Sequence, residues 1–267
     1  MRNIKTLMRL KDRVALITGA TGNIGQEAAL TIAELGGDLI LVDLPGSNFE
    51  KIDQRISDNY DVKIQHIFCD LEIEESRQKL IDQVNGYKRE LNIIINNAAF
   101  VGESNLKGWV TDFENQDVDT WRRALEVNLT AIFHLSKGLT KKLKNSKSGS
   151  IINISSIYGI NGPDLSLYEG TEMGNPAAYA ASKGGLIQLT RWLATTIAPD
   201  VRVNSISPGG IWRNQPIDFV ERYEARTPLN RMASEEDLKG IVAYLASDLS
   251  LYVTGQNILI DGGWTTW

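Results

Sequence analysis

The sequence predicts an α/β chain: a single domain built on a doubly wound, seven-stranded parallel sheet with helices on both faces. Three observations carry this. Short runs rich in Ile, Val and Leu alternate with longer amphipathic segments along the whole chain. Most of the apolar runs are continuous, as expected of parallel strands covered by helices on both sides. The first run passes through a glycine-rich turn straight into a helix-like segment, the junction where such sheets receive phosphates. At 267 residues, 42% hydrophobic and 23% charged, the chain suits one large domain spanning 1–267 with a sizeable core.

In chain order, strands are expected at 13–18 ("RVALIT"), 38–43 ("DLILVD"), 62–70 ("VKIQHIFCD"), 91–98 ("LNIIINNA"), 150–156 ("SIINISS"), 201–208 ("VRVNSISP") and 256–261 ("QNILID"). Helices are expected between them at 23–36, 73–86, 117–146, 176–199 and 234–247. The fourth opens with Asn175 as a cap and Pro176 at its first position, both favoured there. Three long irregular stretches follow strands: 99–116, 157–175 and 209–233, the last partly helical. Ligands of open parallel sheets bind beyond the carboxyl ends of the strands, so these segments are expected to wall one cleft.

Composition excludes several classes. Net charge is −5 and the pI near 5.2, so no global basic field favours nucleic acid or anionic lipid. The N-terminal "MRNIKTLMRLKDR" has no apolar stretch long enough for a signal sequence or membrane span, and a cytoplasmic location is expected. The single Cys69 cannot form an internal disulfide and reads as a buried thiol. His66 and His134 sit in apolar patterns, and no metal-ligand cluster is evident.

In the glycine-rich turn "TGATGNIG" (18–25), glycines allow the backbone to approach a pyrophosphate, and the following helix offers free N–H groups. Gly19, Thr21, Gly22, Asn23, Ile24 and Gly25 are the candidate contacts. The second strand ends at Asp43, where a carboxylate can accept from an adenosine ribose diol and would repel a ribose phosphate. NAD is therefore expected in preference to NADP.

This turn, with "NNAA" (96–99), "VNL" (127–129), "NISS" (153–156), "YAASK" (179–183), "SPGG" (207–210) and "DGG" (261–263), resembles the short-chain dehydrogenase/reductase family, in its order and over nearly the whole chain. The resemblance implies a Rossmann-type oxidoreductase. It implies that Asp70 and Leu71, and Asn97, Ala98 and Ala99, line the adenine and ribose. Pro208, Gly209 and Ile211 would border the nicotinamide. One motif departs from the pattern: the middle glycine is Gly22, and Asn23 stands where the reductases carry glycine. That T-G-x-x-G-x-x-G spacing is similar to the sugar-nucleotide epimerase and dehydratase branch, so an enzyme of that type with tightly held NAD remains an alternative, as does a dinucleotide-binding regulator without turnover. The family often has a Thr a few residues after the Pro-Gly, bonding the carboxamide; here the run is "GIWRNQ".

Three tyrosines precede or open "YAASK". A proton-transferring tyrosine must have its pKa brought down from about 10, and a fixed positive charge does this. Only Tyr179 has a cation, Lys183, at i+4 on a shared helix face; Tyr158 has Gly162 there and Tyr168 has Glu172. Tyr179 also falls in the first helical turn, near the positive end of the dipole. The family resemblance selects the same residue. It also implies that Ser156 holds the carbonyl oxygen beside Tyr179, that Lys183 binds the nicotinamide ribose, and that Asn128 supports a water chain to Lys183. Adjacent Ser155 should point the other way.

Ser156 and Tyr179 lie 23 positions apart, farther than in many relatives, so the intervening loop is enlarged beside the chemistry. It carries Asp164, Glu169 and Glu172, and the opposite segment carries Arg213, Arg222, Arg226 and Arg231. These are either solvated faces or a polar lining; a lining would suit sugar hydroxyls, an amine or a phosphate. Tyr158 and Tyr168 either stack on a sugar ring or pin the loop. The phrase "SSIYG…PD…YEGT" is similar to short-chain dehydrogenases of flagellin-modification and surface-glycan sugar pathways. The expected activity is a NAD-linked interconversion of a secondary alcohol and a ketone on a small, sugar-like substrate, phosphorylated, nucleotide-linked or neither. The long helices 117–146 and 176–199, and the tryptophans of "DGGWTTW", are expected to serve a homo-oligomer, dimer or tetramer.

Overall fold

A computed structural model describes residues 1–100 and 106–267. Seven parallel strands, β1 (Val14–Thr18), β2 (Asp38–Asp43), β3 (Ile64–Phe68), β4 (Ile93–Asn96), β5 (Gly149–Ile154), β6 (Val201–Pro208) and β7 (Asn257–Ile260), form one sheet in the order β3-β2-β1-β4-β5-β6-β7. Its helices are α1 (Ile4–Met8), α2 (Asn23–Glu34), α3 (Glu50–Ser57), α4 (Glu74–Asn85), α5 (Val118–Leu125), α6 (Ala131–Asn145), α7 (Ala177–Thr196), α8 (Ile217–Arg226) and α9 (Lys239–Ala246). The expected fold class holds, and each expected strand is present with ends trimmed or moved by a few residues at most.

The continuous apolar runs are explained by alternation between two layers. Ala15 and Ile17, Leu39 and Leu41, and Ile93 and Ile95 join a core shared with α2, α3 and α9. Leu16, Ile40, Val42 and Ile94 face the other way, into a core shared with α4, α6 and α7. Because β1 is flanked by β2 on one side and β4 on the other, chain direction across the sheet reverses at β1/β4. The crevice above that switch point is where the cleft lies.

Four details differ from the sequence expectation. Helices α1 and α3 were not foreseen: α1 buries nothing, and α3 buries only Ile52 and Ile56, too thin an apolar stripe for periodicity to reveal. Segment 117–146 is helical throughout but is interrupted by a π-helical turn at Glu126–Thr130, an insertion often found at functional sites. Helix α7 begins one residue later than expected, with Pro176 as its cap residue and no side-chain cap from its own chain end. Instead the Gln116 amide oxygen accepts from Ala177 N–H at 3.1 Å, so Asn175 is not the capping residue. Of the stretch 99–116, residues 101–105 lie outside the described residues. Among the described residues no helix is long and apolar enough to cross a membrane.

Candidate active site

The glycine turn is held by side chains acting on backbone. Asn97 donates through Nδ2 to the carbonyls of Thr18 (3.0 Å) and Gly19 (2.9 Å), while Thr18 Oγ1 accepts from the N–H groups of Asn97 and Ala98. Gly19 adopts φ +64°, a left-handed conformation that favours glycine. Gly25 packs beneath it: a Cβ there would lie 2.1 Å from the Gly19 oxygen. With Gly22 as cap residue, α2 starts at Asn23, leaving its first-turn N–H groups without intrahelical acceptors.

These groups face a cavity of about 440 Å³. Thr21, Gly22, Asn23, Ile24, Asn97 and Ile211 line it, as do Pro208 and Gly209. A second cavity of about 330 Å³ contains Asp70, Leu71, Phe100 and Arg123. Gly19, Asp43, Ala98 and Ala99 border both, joining them end to end. Gly25 is not on the wall; its part is to let α2 approach the turn. Asp43 accepts from Thr21 N and Oγ1 at 2.8 Å each through Oδ2, and from Leu44 N (2.8 Å) and Ser47 Oγ (3.2 Å) through Oδ1. It therefore braces the turn as well as standing at the joint between cavities. An elongated trough with a helix N-terminus in its floor and an acid at its middle fits a dinucleotide.

Where the trough meets the carboxyl end of β5, Ser156, Tyr179 and Lys183 converge. Ser156 and Tyr179 stand together on its wall, and Ser156 Oγ accepts from Tyr158 N–H at 3.2 Å. Ser155 points away as alternation requires, donating to the Lys183 carbonyl at 2.9 Å. Lys183 Nζ is buried, donates to the Ile154 carbonyl at 2.8 Å and stands 5.7 Å from the Tyr179 ring centre. Burial lowers its pKa to about 8. Burial also pushes the Tyr179 phenol above its ordinary value, opposed by the neighbouring Ser156 hydroxyl and the positive charge of Arg213. The expectation that Lys183 draws this pKa down is corrected: desolvation outweighs every favourable charge, and the cation that helps is Arg213. Asn128, fully buried in the π-helical turn, binds the Phe100 backbone on both sides (N–H to Oδ1, 2.6 Å; Nδ2 to O, 3.3 Å) and donates to Ser182 Oγ at 3.0 Å. Ser182 in turn donates to the Tyr179 carbonyl at 2.8 Å.

Beyond Ser156 and Tyr179 opens a third cavity, about 390 Å³, walled by Trp109, Tyr158, Tyr168, Phe219 and Tyr223. Its wall is aromatic, contrary to a lining of arginines and acids. Arg222 donates to the carbonyls of Ser166, Leu167 and Glu169. Arg226 pairs with Asp164 and lies 4.6 Å over the Trp264 ring. Arg231 pairs with Asp237 at 2.7 Å. Arg213, paired with Glu235 at 3.1 Å, borders the dinucleotide-shaped trough instead. Only Glu172 of the charged set reaches this cavity. Arg222 and Arg226 hold loop 157–175 against α8, and Arg213 and Arg231 pair with acids outside that loop, so none of the four lines this cavity. Tyr158 and Tyr168 meet hydroxyl to hydroxyl at 2.5 Å, so both pin the loop while presenting their rings to the cavity. Trp264 is fully buried against Tyr223 and Tyr158 and is no interface residue; Trp267 is exposed.

Sequence reasoning missed Trp109, Phe219 and Tyr223, which reach the cavity from segments far apart in the chain, and took Asn175 for a cap. It also missed Arg123, which pairs with Glu72 at 2.7 Å and covers the Phe100 ring at 5.1 Å. A larger cavity of about 610 Å³ lies at the opposite, amino ends of β1, β2 and β3, remote from these groups. Among the described residues no group of His, Cys, Asp and Glu could hold a metal ion.

Comparison with known proteins agrees with this geometry. A family model described as "Enoyl-(Acyl carrier protein) reductase" matches residues 19–265. An NADP-dependent mannitol dehydrogenase of Alternaria alternata is 31% identical over 98% of this chain and 95% of its own. The post-translational flagellin modification protein A of Campylobacter coli is 28% identical over 96% of this chain and 99% of its own. A short chain dehydrogenase from Leptospira borgpetersenii, solved with bound NAD+, superposes with a TM-score of 0.83 at 33% identity, covering 99% of this chain and 96% of that one. With its parallel sheet, its glycine turn and these relatives, the chain belongs to the short-chain dehydrogenase/reductase family, oxidoreductases that bind a nicotinamide dinucleotide.

Proposed function

We propose that the protein is an NAD-dependent oxidoreductase that interconverts a secondary alcohol and a ketone on a small, polar, sugar-like substrate carrying no phosphate. The observation that carries the reading is the placement of Ser156 and Tyr179 side by side on the wall common to the trough and the aromatic cavity. When bound, the nicotinamide accepts or supplies the hydride. Ser156 and Tyr179 hold the substrate oxygen between them, and Tyr179 takes the alcohol's proton in oxidation or returns one to the ketone oxygen in reduction. Lys183, protonated at neutral pH with its pKa near 8, binds the nicotinamide ribose. Asn128 positions Tyr179 through Ser182 and fixes the backbone at Phe100. Asp43, at the joint of the trough, favours a ribose diol over a ribose phosphate. Aromatic walls suit the C–H faces of a sugar or polyol, in keeping with the mannitol dehydrogenase relative. Exposed Val118, Trp121, Phe133 and Trp192 on α5, α6 and α7 support a homo-oligomer.

The test is to follow NADH absorbance during oxidation of polyols, amino sugars, sugar phosphates and lipophilic alcohols, with NAD+ and NADP+ in parallel. Turnover of unphosphorylated polyols with NAD+ is expected. Preference for lipophilic alcohols would overturn the substrate reading. Bound NADH without turnover of any substrate would favour an enzyme that retains its dinucleotide through a cycle.

A further inference from the structure

We propose that Arg123 is a cofactor-binding residue: the plane of its guanidinium stacks on the adenine of the dinucleotide and covers the outer side of the cavity that holds it. This rests on the dinucleotide reading of the trough. Arg123 lines the smaller of the two joined cavities, about 330 Å³, on the far side of Asp43 from Ser156 and Tyr179, so the adenine half is the part of the cofactor that reaches it. Arg123 and Val127 are four residues apart, where α5 runs into the π-helical turn, and both face this cavity.

The side chain is held in place by the protein itself. Nε and Nη2 donate to the two carboxylate oxygens of Glu72 at 2.7 and 3.1 Å, a two-point bond that fixes the plane of the guanidinium as well as its position. Glu72 is in turn set by the bend after β3, where its N–H donates to Asp70 Oδ1 at 2.9 Å. The guanidinium lies 5.1 Å over the Phe100 ring, whose backbone Asn128 fixes. This cavity does not suit an anion: Asp43, Asp70 and Glu72 line it against Arg123, the one cation there among the described residues. Leu44, Leu71 and Val127 add apolar wall. A flat, uncharged heterocycle matches these surfaces, because Glu72 occupies the edge of the guanidinium and leaves its face for stacking. Arginine stacks on nucleobases and other aromatic faces through this plane, which lysine lacks.

The experiment titrates NADH, NADPH, AMP and reduced nicotinamide mononucleotide into the wild type, Arg123→Met, Arg123→Lys and Glu72→Gln by calorimetry, with the thermal midpoint of each variant read alongside. In Arg123→Met, affinity for NADH and for AMP should fall by about tenfold, while the mononucleotide, which has no adenine, binds as it does to the wild type. Arg123→Lys keeps a cation able to pair with Glu72 but has no plane, and should lose nearly as much as Arg123→Met. Glu72→Gln releases the guanidinium from its two-point bond and should weaken NADH by about threefold. NADH affinity in Arg123→Met within about twofold of wild type overturns the proposal. Full affinity in Arg123→Lys overturns it as well, by assigning the effect to the ion pair with Glu72, and so does an equal loss for the mononucleotide, by assigning it to the site as a whole. A wild type that binds neither NADH nor NADPH overturns the dinucleotide reading and this inference with it.

Discussion

At the β1–α2 end of the cleft the polar contacts run between side chains and backbone close to strand ends: Asn97 to Thr18 and Gly19, Asp43 to Thr21 and Leu44. At the other end, the cavity past Tyr179 is walled by rings from separate segments, Trp109, Tyr158, Phe219 and Tyr223, resting on a fully buried Trp264. The first half is specified by local geometry, since a parallel strand, a glycine turn and a helix start can meet in few ways. The second is specified by packing among distant side chains, and its shape depends on which rings meet. One half can thus serve a shared ligand while the other sets what is oxidised.

Substitutions at the two ends should separate these halves, beginning with the largest effect on stability. Trp264→Ala removes the ring beneath the substrate cavity and should cost about 3–5 kcal/mol in denaturant unfolding. Dinucleotide affinity of the remaining folded protein should change little; an equal loss of both would mean the halves are one cooperative unit.

The next effect depends on pH. Burial of Lys183 penalises its charged form, lowering its pKa from 10.5 to about 8 in the folded protein. The unfolded chain therefore holds more protons between these values, and the penalty, present in full below pH 8, fades as pH rises toward 10.5. Relative to Lys183→Met, the wild type should gain roughly 3 kcal/mol of stability across that window. A difference independent of pH between 8 and 10.5 would show that the ammonium is better solvated than its burial implies.

Gly25→Ala forces a methyl against the Gly19 carbonyl, so the turn or α2 must shift. A loss of about 1–3 kcal/mol is expected, with weakened NADH binding measured by titration. Unchanged binding would show that the close approach is dispensable. The smallest effect belongs to Arg226→Lys. It keeps the charge opposite Asp164 but loses stacking on Trp264, and should cost on the order of 1 kcal/mol, read as a shift in unfolding midpoint.

The same contrast explains what was legible in the sequence. The strand positions, the glycine turn, Asp43 and the approach of Lys183 to Tyr179 are written in short segments with fixed periods, and each lies where those periods place it. The i+4 spacing brought Lys183 close to Tyr179, yet it did not reveal that burial raises the phenol's pKa, because desolvation depends on the whole surrounding core. Four arginines in one segment suggested an anionic ligand; only the folded chain reveals that carboxylates and loop carbonyls already occupy them. Asn175 before Pro176 has the local grammar of a cap, but Gln116, distant in sequence, takes that place. The π-helical turn at Glu126–Thr130, which buries Asn128 against the Phe100 backbone, leaves no mark in a residue pattern that is helical on both sides.

The central claim is that Tyr179 transfers the proton at the junction of the two halves. Its most direct test is the rate of NAD+-dependent polyol oxidation by Tyr179→Phe, with NADH affinity measured on the same preparation. The account predicts a fall in kcat of about 10²–10⁴ with NADH affinity within a few fold of wild type. Turnover that survives the loss of this one hydroxyl, in a variant that still binds NADH, would contradict it.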